Sequence, residues 1–306
     1  MDLILTLGQT ALELGLICSL TVLALFLSYT MLNVCDLSTD GCFTLGAAVG
    51  ATVALAGHPW LSLPAAMAAG GCSGFVTAFL QTRMGINSLL AGIIVNTGLY
   101  SINIAVMEGA SLLNLNKTET IFNIIKGWLA DTPFSGQYKL VVALMAVALI
   151  VAFLAVFLNT RLGLAIRATG DNPDMVRSSS INPIFTTTVG LCIANAFTGL
   201  SGCLLAQAQK SADINIGSGM VTVALASLLI GRTLCSRGSI LRRAIAAVMG
   251  AFLFRLVYAV ALRFQMPAYM LKLVSSVIVI WAMFGPYLKS QWPVLRRCMA
   301  ARKGGR

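Results

Sequence analysis

Charge is what this chain has least of. Only 10% of its 306 residues are Asp, Glu, Lys or Arg, where a soluble domain carries roughly a quarter. With 58% hydrophobic residues, and several apolar runs near or beyond the ~17 needed to cross a bilayer as a helix, a buried soluble core is excluded. No lysine or arginine precedes Arg83. "MDLILTLGQTALELGLICSL" therefore lacks the basic start and small-residue cleavage site of a removable leader. One histidine, His58, and eight cysteines with no CxxC pair provide no metal site or disulfide framework. Nothing matches GxxxxGK[ST], so the chain is not expected to hydrolyse ATP. So few histidines and membrane carboxylates also leave little from which to build a catalytic site.

What remains is hydrocarbon. The chain reads as an all-α, polytopic membrane helix bundle forming one transmembrane domain over 1–306. Nine spans are expected, at 8–31, 41–57, 60–82, 88–107, 138–158, 183–206, 217–232, 242–262 and 269–287. An odd count puts the termini on opposite faces. Basic residues cluster in alternate connections and in the tail 288–306, "KSQWPVLRRCMAARKGGR" beginning at Lys289. The positive-inside rule then places the tail in the cytoplasm and the N-terminus outside. The net charge of +11 sits between apolar spans, which argues for a cytoplasmic cell-membrane setting rather than nucleic acid.

One polar stretch breaks the pattern. "RATGDNPDMVRSSSINP", residues 167–183, lies in the segment 159–182, which faces the cytoplasm on this topology. Asp171 or Asn172 can accept the free amides of a helix start, and Pro173 suits its first position. Asp174 favours the positive end of the helix dipole. Met175 and Val176 would offer an apolar spot beside Arg177, and Asn182-Pro183 would start the next span. The expectation is a helix of about two turns, rigid at both ends, that docks onto another protein.

"GLAIRATGDNPDMVRSSSIN" resembles the signature loop of permease subunits of the branched-chain amino acid and ribose class of ABC importers. "CDLSTDGCFTLGAAVGA" (35–51) and "GLSGCLLAQAQKSADINIGSGMVTVALASLLIG" (199–231) resemble segments of the same permeases. Within that class the likeness is greatest to permeases of the tryptophan/tyrosine type. The resemblance implies that Gly170 to Arg177 form the element that sits in a groove of a cytoplasmic ATPase. It further implies an extracytoplasmic solute-binding protein, a second permease copy, and ATP with Mg used by the ATPase subunit. The implied cargo is an amino acid, with a sugar or nucleoside as the alternative. Ser178, Ser179 and Ser180 depart from the more apolar run of the class. An ion-coupled secondary transporter is the rival from outside it.

"CDLSTDGCFTLGAAVGA" and "ADINIGSGMVTVALASL" both run from an aspartate through glycine into a small-residue helix, in spans of opposite direction. That is the pattern of an inverted-topology repeat. Polar residues within the spans are the pathway candidates. Asp36 and Ser38 stand at a junction where a carboxylate is expensive in lipid. Asn96 and Asn195 could face a solute or tie helices together, the tie being favoured. Arg255 lies deep in the eighth span with no acidic neighbour in sequence. Gly46-xxx-Gly50 and Gly70-xxx-Gly74 are spaced for close packing inside one subunit.

Overall fold

The computed structural model describes residues 2–128, 137–235 and 238–263, together with 270, 273 and 276–280. The apolar runs become helices because, in hydrocarbon, backbone groups can bond only to one another. α1 (Asp2–Leu25) continues through a widened turn at Phe26–Met31. α2 (Thr39–Leu55), α3 (Pro59–Thr82) and α4 (Ser88–Val106) follow, then β1 (Leu112–Asn114), α5 (Ile121–Trp128) and α6 (Tyr138–Phe157). α7 (Arg161–Asp171), α8 (Pro173–Ser178), α9 (Pro183–Gln209), β2 (Ser211–Asp213), α10 (Met220–Leu234) and α11 (Ile240–Arg263) complete the described elements.

Among the described residues, six helices are long and apolar enough to cross a membrane, and they coincide with the first, third, fourth, fifth, sixth and eighth expected spans. The second and seventh are shorter, 17 residues in α2 and 15 in α10. The ninth, 269–287, lies largely outside the described residues, and the tail 288–306 wholly so. The all-α expectation needs one addition. β1 and β2 form an antiparallel ribbon that pairs Leu112 with Asp213 and Asn114 with Ser211. The segment after β1 holds the short helix α5.

α1 and α9 occupy the centre. Their spans are 78% buried, against 28–33% for α3, α4, α6 and α11. α9 earns this place with small side chains. A Cβ at Gly46 of α2 would meet the Gly199 backbone, and one at Gly70 of α3 would meet the Asn195 backbone. Both glycine pairs thus serve packing within the subunit, as expected. Without a hydrophobic force between helices in lipid, such close approach supplies the dispersion contact that holds them.

The glycine contacts also fix direction. Gly46 and Gly50 of α2 face Gly199 and Cys203 in the same order, so α2 and α9 run parallel. Ile17 of α1 meets Ser201 of α9, and Leu32, just past the widened turn that continues α1, meets Gly190 of α9, so that pair is antiparallel. Gly15 meets Arg255 and Phe26 meets Arg243, so α11 opposes α1; Gly231 meets Ala246 and Gly250 meets Ser227, so α10 opposes α11. It follows that α2 and α10 point in opposite directions.

At the ribbon end, Gln207 is 1% exposed. Its Nε2 donates to Ser62 Oγ at 2.6 Å, and its Oε1 accepts the Ile121 amide at 3.1 Å, which docks α5 on α3 and α9. At the opposite end, α7 and α8 lie beside the start of α9.

Candidate functional site

The polar stretch folds as two helices joined at a corner. α7 begins after Thr160, whose Oγ1 accepts the Gly163 amide at 3.3 Å. It ends at Asp171. Asn172 is the cap of α8, its Oδ1 accepting the amides of Asp174 and Met175 at 3.1 Å each. Pro173 takes the first helical position, where the missing N–H is not needed. α8 is 6 residues long, Pro173–Ser178, shorter than the two turns expected. Gly170 and Asp171 belong to α7 instead. Asn182 then caps α9, accepting the Ile184 amide at 3.0 Å.

The expected apolar pair divides between two faces. Met175 is 66% exposed whereas Val176 is 3% exposed and packs inward. The outward surface is therefore Met175 with the exposed pair Asp174 and Arg177, whose charges stand 3.7 Å apart. Gly170 is not at that surface, since a Cβ there would strike the backbone of Met31 and Leu32. Thr169 and Thr186 share a buried hydrogen bond of 2.8 Å between α7 and α9. The pair α7–α8 is thus fastened to the bundle on one side and open on the other.

Three pathway candidates meet in one buried cluster. Asp36 is 1% exposed and Asn195 is 1% exposed. Asn195 Nδ2 donates to Asp36 Oδ2 at 2.8 Å, and the Ser38 amide donates to Asp36 Oδ1 at 2.8 Å. Thr77 donates to Ser38 Oγ at 3.3 Å. Asn195 is thus a tie between the start of α2 and the middle of α9. A carboxylate taken out of water must be paired or hydrogen-bonded, and this one is.

Asp40, one turn later, organises a second junction. Its Oδ2 accepts the Gly219 amide at 3.0 Å and its Oδ1 the Val221 amide at 2.8 Å. The starts of α2 and α10 therefore converge on one carboxylate. A helix start carries partial positive charge and free amides, and the Asp40 carboxylate is the anion that meets them here. Asp213 accepts the Asn215 amide at 2.7 Å, the same two-residue turn that Asp36 makes with Ser38.

Beside Asp40 lies a cavity of about 430 Å³, lined by Asp40, Thr44, Asn96, Tyr100, Asn103 and Asn215 among others. Of the candidates read from the sequence, Asn96 reaches it. Asp36, Ser38 and Asn195 do not line it. Asn103 was missed, being placed near the end of a span. It is 1% exposed, its Nδ2 donates to the Gly41 carbonyl at 3.2 Å, and its buried Oδ1 accepts nothing among the described residues. A buried acceptor without a donor calls for an explanation.

Arg255 finds its neighbour across the bundle. Its Nη2 contacts Cys18 Sγ at 2.8 Å, and its guanidinium stands 5.6 Å from the Tyr258 ring centre. It also lines a cavity of about 400 Å³ with Gln209, Ser218 and Thr222. Among the described residues no carboxylate forms an ion pair with it.

Comparison with known proteins finds relatives along most of the chain. The family described as branched-chain amino acid transport system / permease component matches residues 9–283. The chain is 32% identical over 268 residues to the tyrosine transport system permease protein of Clostridioides difficile, covering 87% of this chain and 86% of that one. It is 30% identical over 276 residues to an uncharacterized protein of Rickettsia prowazekii, covering 88% and 94% respectively. A nucleoside ABC transporter permease of Lactococcus lactis is 23% identical over 57% of each chain. No solved structure matches.

Proposed function

The chain belongs to the branched-chain amino acid transport system / permease component family, and from that premise we propose that it imports an amino acid, driven by separate ATPase subunits. It is a multi-pass transport subunit, not an enzyme. The observation that carries the coupling role is the α7–α8 pair, bolted to α9 through Thr169 and Thr186 yet presenting Met175 outward. Such an element passes displacement to the bundle without absorbing it. In this reading the α8 face and the C-terminus are cytoplasmic, and the N-terminus is outside. Hydrolysis of ATP with Mg occurs in the partner, two permease copies work together, and a binding protein delivers cargo from outside.

The cavity beside Asp40 is the proposed resting place in the pathway. Its orphan acceptor Asn103 Oδ1 calls for an N–H or O–H donor, and the ammonium of an amino acid supplies one. The relative named for tyrosine supports an aromatic cargo, and it covers more of the chain than the nucleoside permease. The matched two-residue turns at Asp36 and Asp213, leading into opposed helices, support the inverted repeat. Short helices whose starts meet within a bundle are the arrangement in which transporters hold solutes.

The test is uptake of labelled L-tyrosine by cells expressing the chain with its ATPase and binding protein. Uptake should stop when the ATPase nucleotide site is disabled, and Met175→Cys should be labelled only from the cytoplasm. Ion-driven uptake by vesicles holding this chain alone would overturn the reading, as would labelling of that cysteine from outside.

A further inference from the structure

A second cavity, of about 420 Å³, opens at the α7 end of the bundle and serves no part of the proposed pathway. Arg167 of α7, Arg232 from the last turn of α10 and Arg243 from the first turn of α11 all line it. Asp171 is the one acidic side chain among its lining residues. Among the described residues no ion pair within 4.0 Å joins any of the three arginines to a carboxylate. Arg243 rests its guanidinium 5.7 Å from the Phe26 ring centre instead. Thr30 Oγ1, also at this cavity, is buried and finds no hydrogen-bond partner among the described residues.

Three like charges brought together from three helices repel one another, and one carboxylate does not balance them. A fold keeps such a cluster when an anion completes it. Planar guanidiniums suit the oxygens of phosphate, which they can bind in pairs. The surroundings say where that phosphate comes from. Leu162, Leu234, Leu241 and Ile245 stand 42%, 59%, 45% and 48% exposed on the same three helices. Helices that expose apolar side chains and hold a basic pocket between their ends are the setting of a lipid headgroup.

We propose that Arg167, Arg232 and Arg243 form a binding site for the phosphate of an anionic membrane lipid, which cross-links α7 to α10 and α11. The site joins the coupling helices to the far half of the bundle, so lipid occupancy stiffens the route along which force travels. The inference rests on this cavity alone and is independent of the cargo.

The purified full chain in detergent is titrated with phosphatidylglycerol, phosphatidylcholine or inorganic phosphate, and followed by thermal unfolding and native mass spectrometry. Phosphatidylglycerol should raise the unfolding midpoint and remain bound, and the other two should not at equal concentration. Arg232→Gln and Arg243→Gln should each weaken phosphatidylglycerol binding about fivefold, while the lipid-free midpoint holds or rises as repulsion is relieved. Arg83→Gln, away from the cavity, should leave the response unchanged. Should Arg243→Gln not fold, the exposed Arg232 gives the same reading alone. A phosphatidylglycerol response that survives Arg232→Gln, or equal protection by phosphatidylcholine, would overturn the proposal. Equal protection by inorganic phosphate would assign the pocket to a soluble anion and overturn the lipid claim.

Discussion

Removing the bond between Asn195 and Asp36 tests whether the buried cluster is built as described. Asn195→Ala deletes the donor 2.8 Å from Oδ2 and leaves a carboxylate oxygen that is almost fully enclosed. Asp36→Ala removes the acceptor, and also the bond from the Ser38 amide at 2.8 Å. In a double-mutant cycle the Ser38 contribution appears on both arms and cancels, so the coupling isolates the side-chain pair. Hydrogen bonds to charged groups contribute about 1.5–3 kcal/mol. Interhelical bonds in membrane proteins average nearer 0.6 kcal/mol, with a ceiling of about 1.7. The first figure applies here, because the acceptor is a carboxylate and both residues are 1% exposed. The expected coupling is therefore about 1.5–3 kcal/mol, measured by reversible unfolding of the purified chain in mixed micelles. A coupling below about 0.5 kcal/mol, under the membrane average, would refute the tie and with it the argument for why Asp36 tolerates burial.

Four further outcomes follow. A Cβ at Gly199 would meet the Ala66 carbonyl at 2.5 Å, so Gly199→Ala should destabilise by about 1–3 kcal/mol through overpacking. Gly98→Ala, with nothing within 4 Å, should hold or gain up to ~1 kcal/mol from helix propensity; thermal unfolding in detergent distinguishes them. Asn172→Ala removes the α8 cap at about 1 kcal/mol, too little to unfold the chain, yet it should lower tyrosine uptake at unchanged protein level, as read by transport and immunoblot. In a background cleared of other cysteines, Met175→Cys should react with an impermeant maleimide, and Val176→Cys, at 3% exposure, should not. Asn103→Leu should lower uptake by about tenfold while ATPase binding persists, measured by transport alongside co-purification, since it replaces the cavity's open acceptor.

Helix positions were legible because apolar runs of membrane length have few other fates. The start of α8 was legible too, since Asn-Pro-Asp is both cap and first turn. Which of Met175 and Val176 faces out was not, because two adjacent apolar residues do not reveal which side the bundle covers. Gly170 looked like part of an exposed loop but is pressed to the end of α1 by packing. The bond from Asn195 to Asp36 joins residues 159 positions apart, and no local pattern foretells it. Asn103 lay hidden for a similar reason. Its importance comes from an acceptor left over once Gly41 is satisfied, which only the assembled bundle defines. Arg255 could be singled out as unusual, yet its sulfur neighbour Cys18 on α1 could not.

The glycine seams carry a mechanical consequence. Where α2, α3 and α9 touch backbone to backbone, no side chains intervene to slide or change rotamer, so the three must travel as a single slab. Gly231 and Gly250 weld α10 to α11 in the same manner. Between the two slabs the Asp40 carboxylate ties α2 to the start of α10 through the Gly219 and Val221 amides.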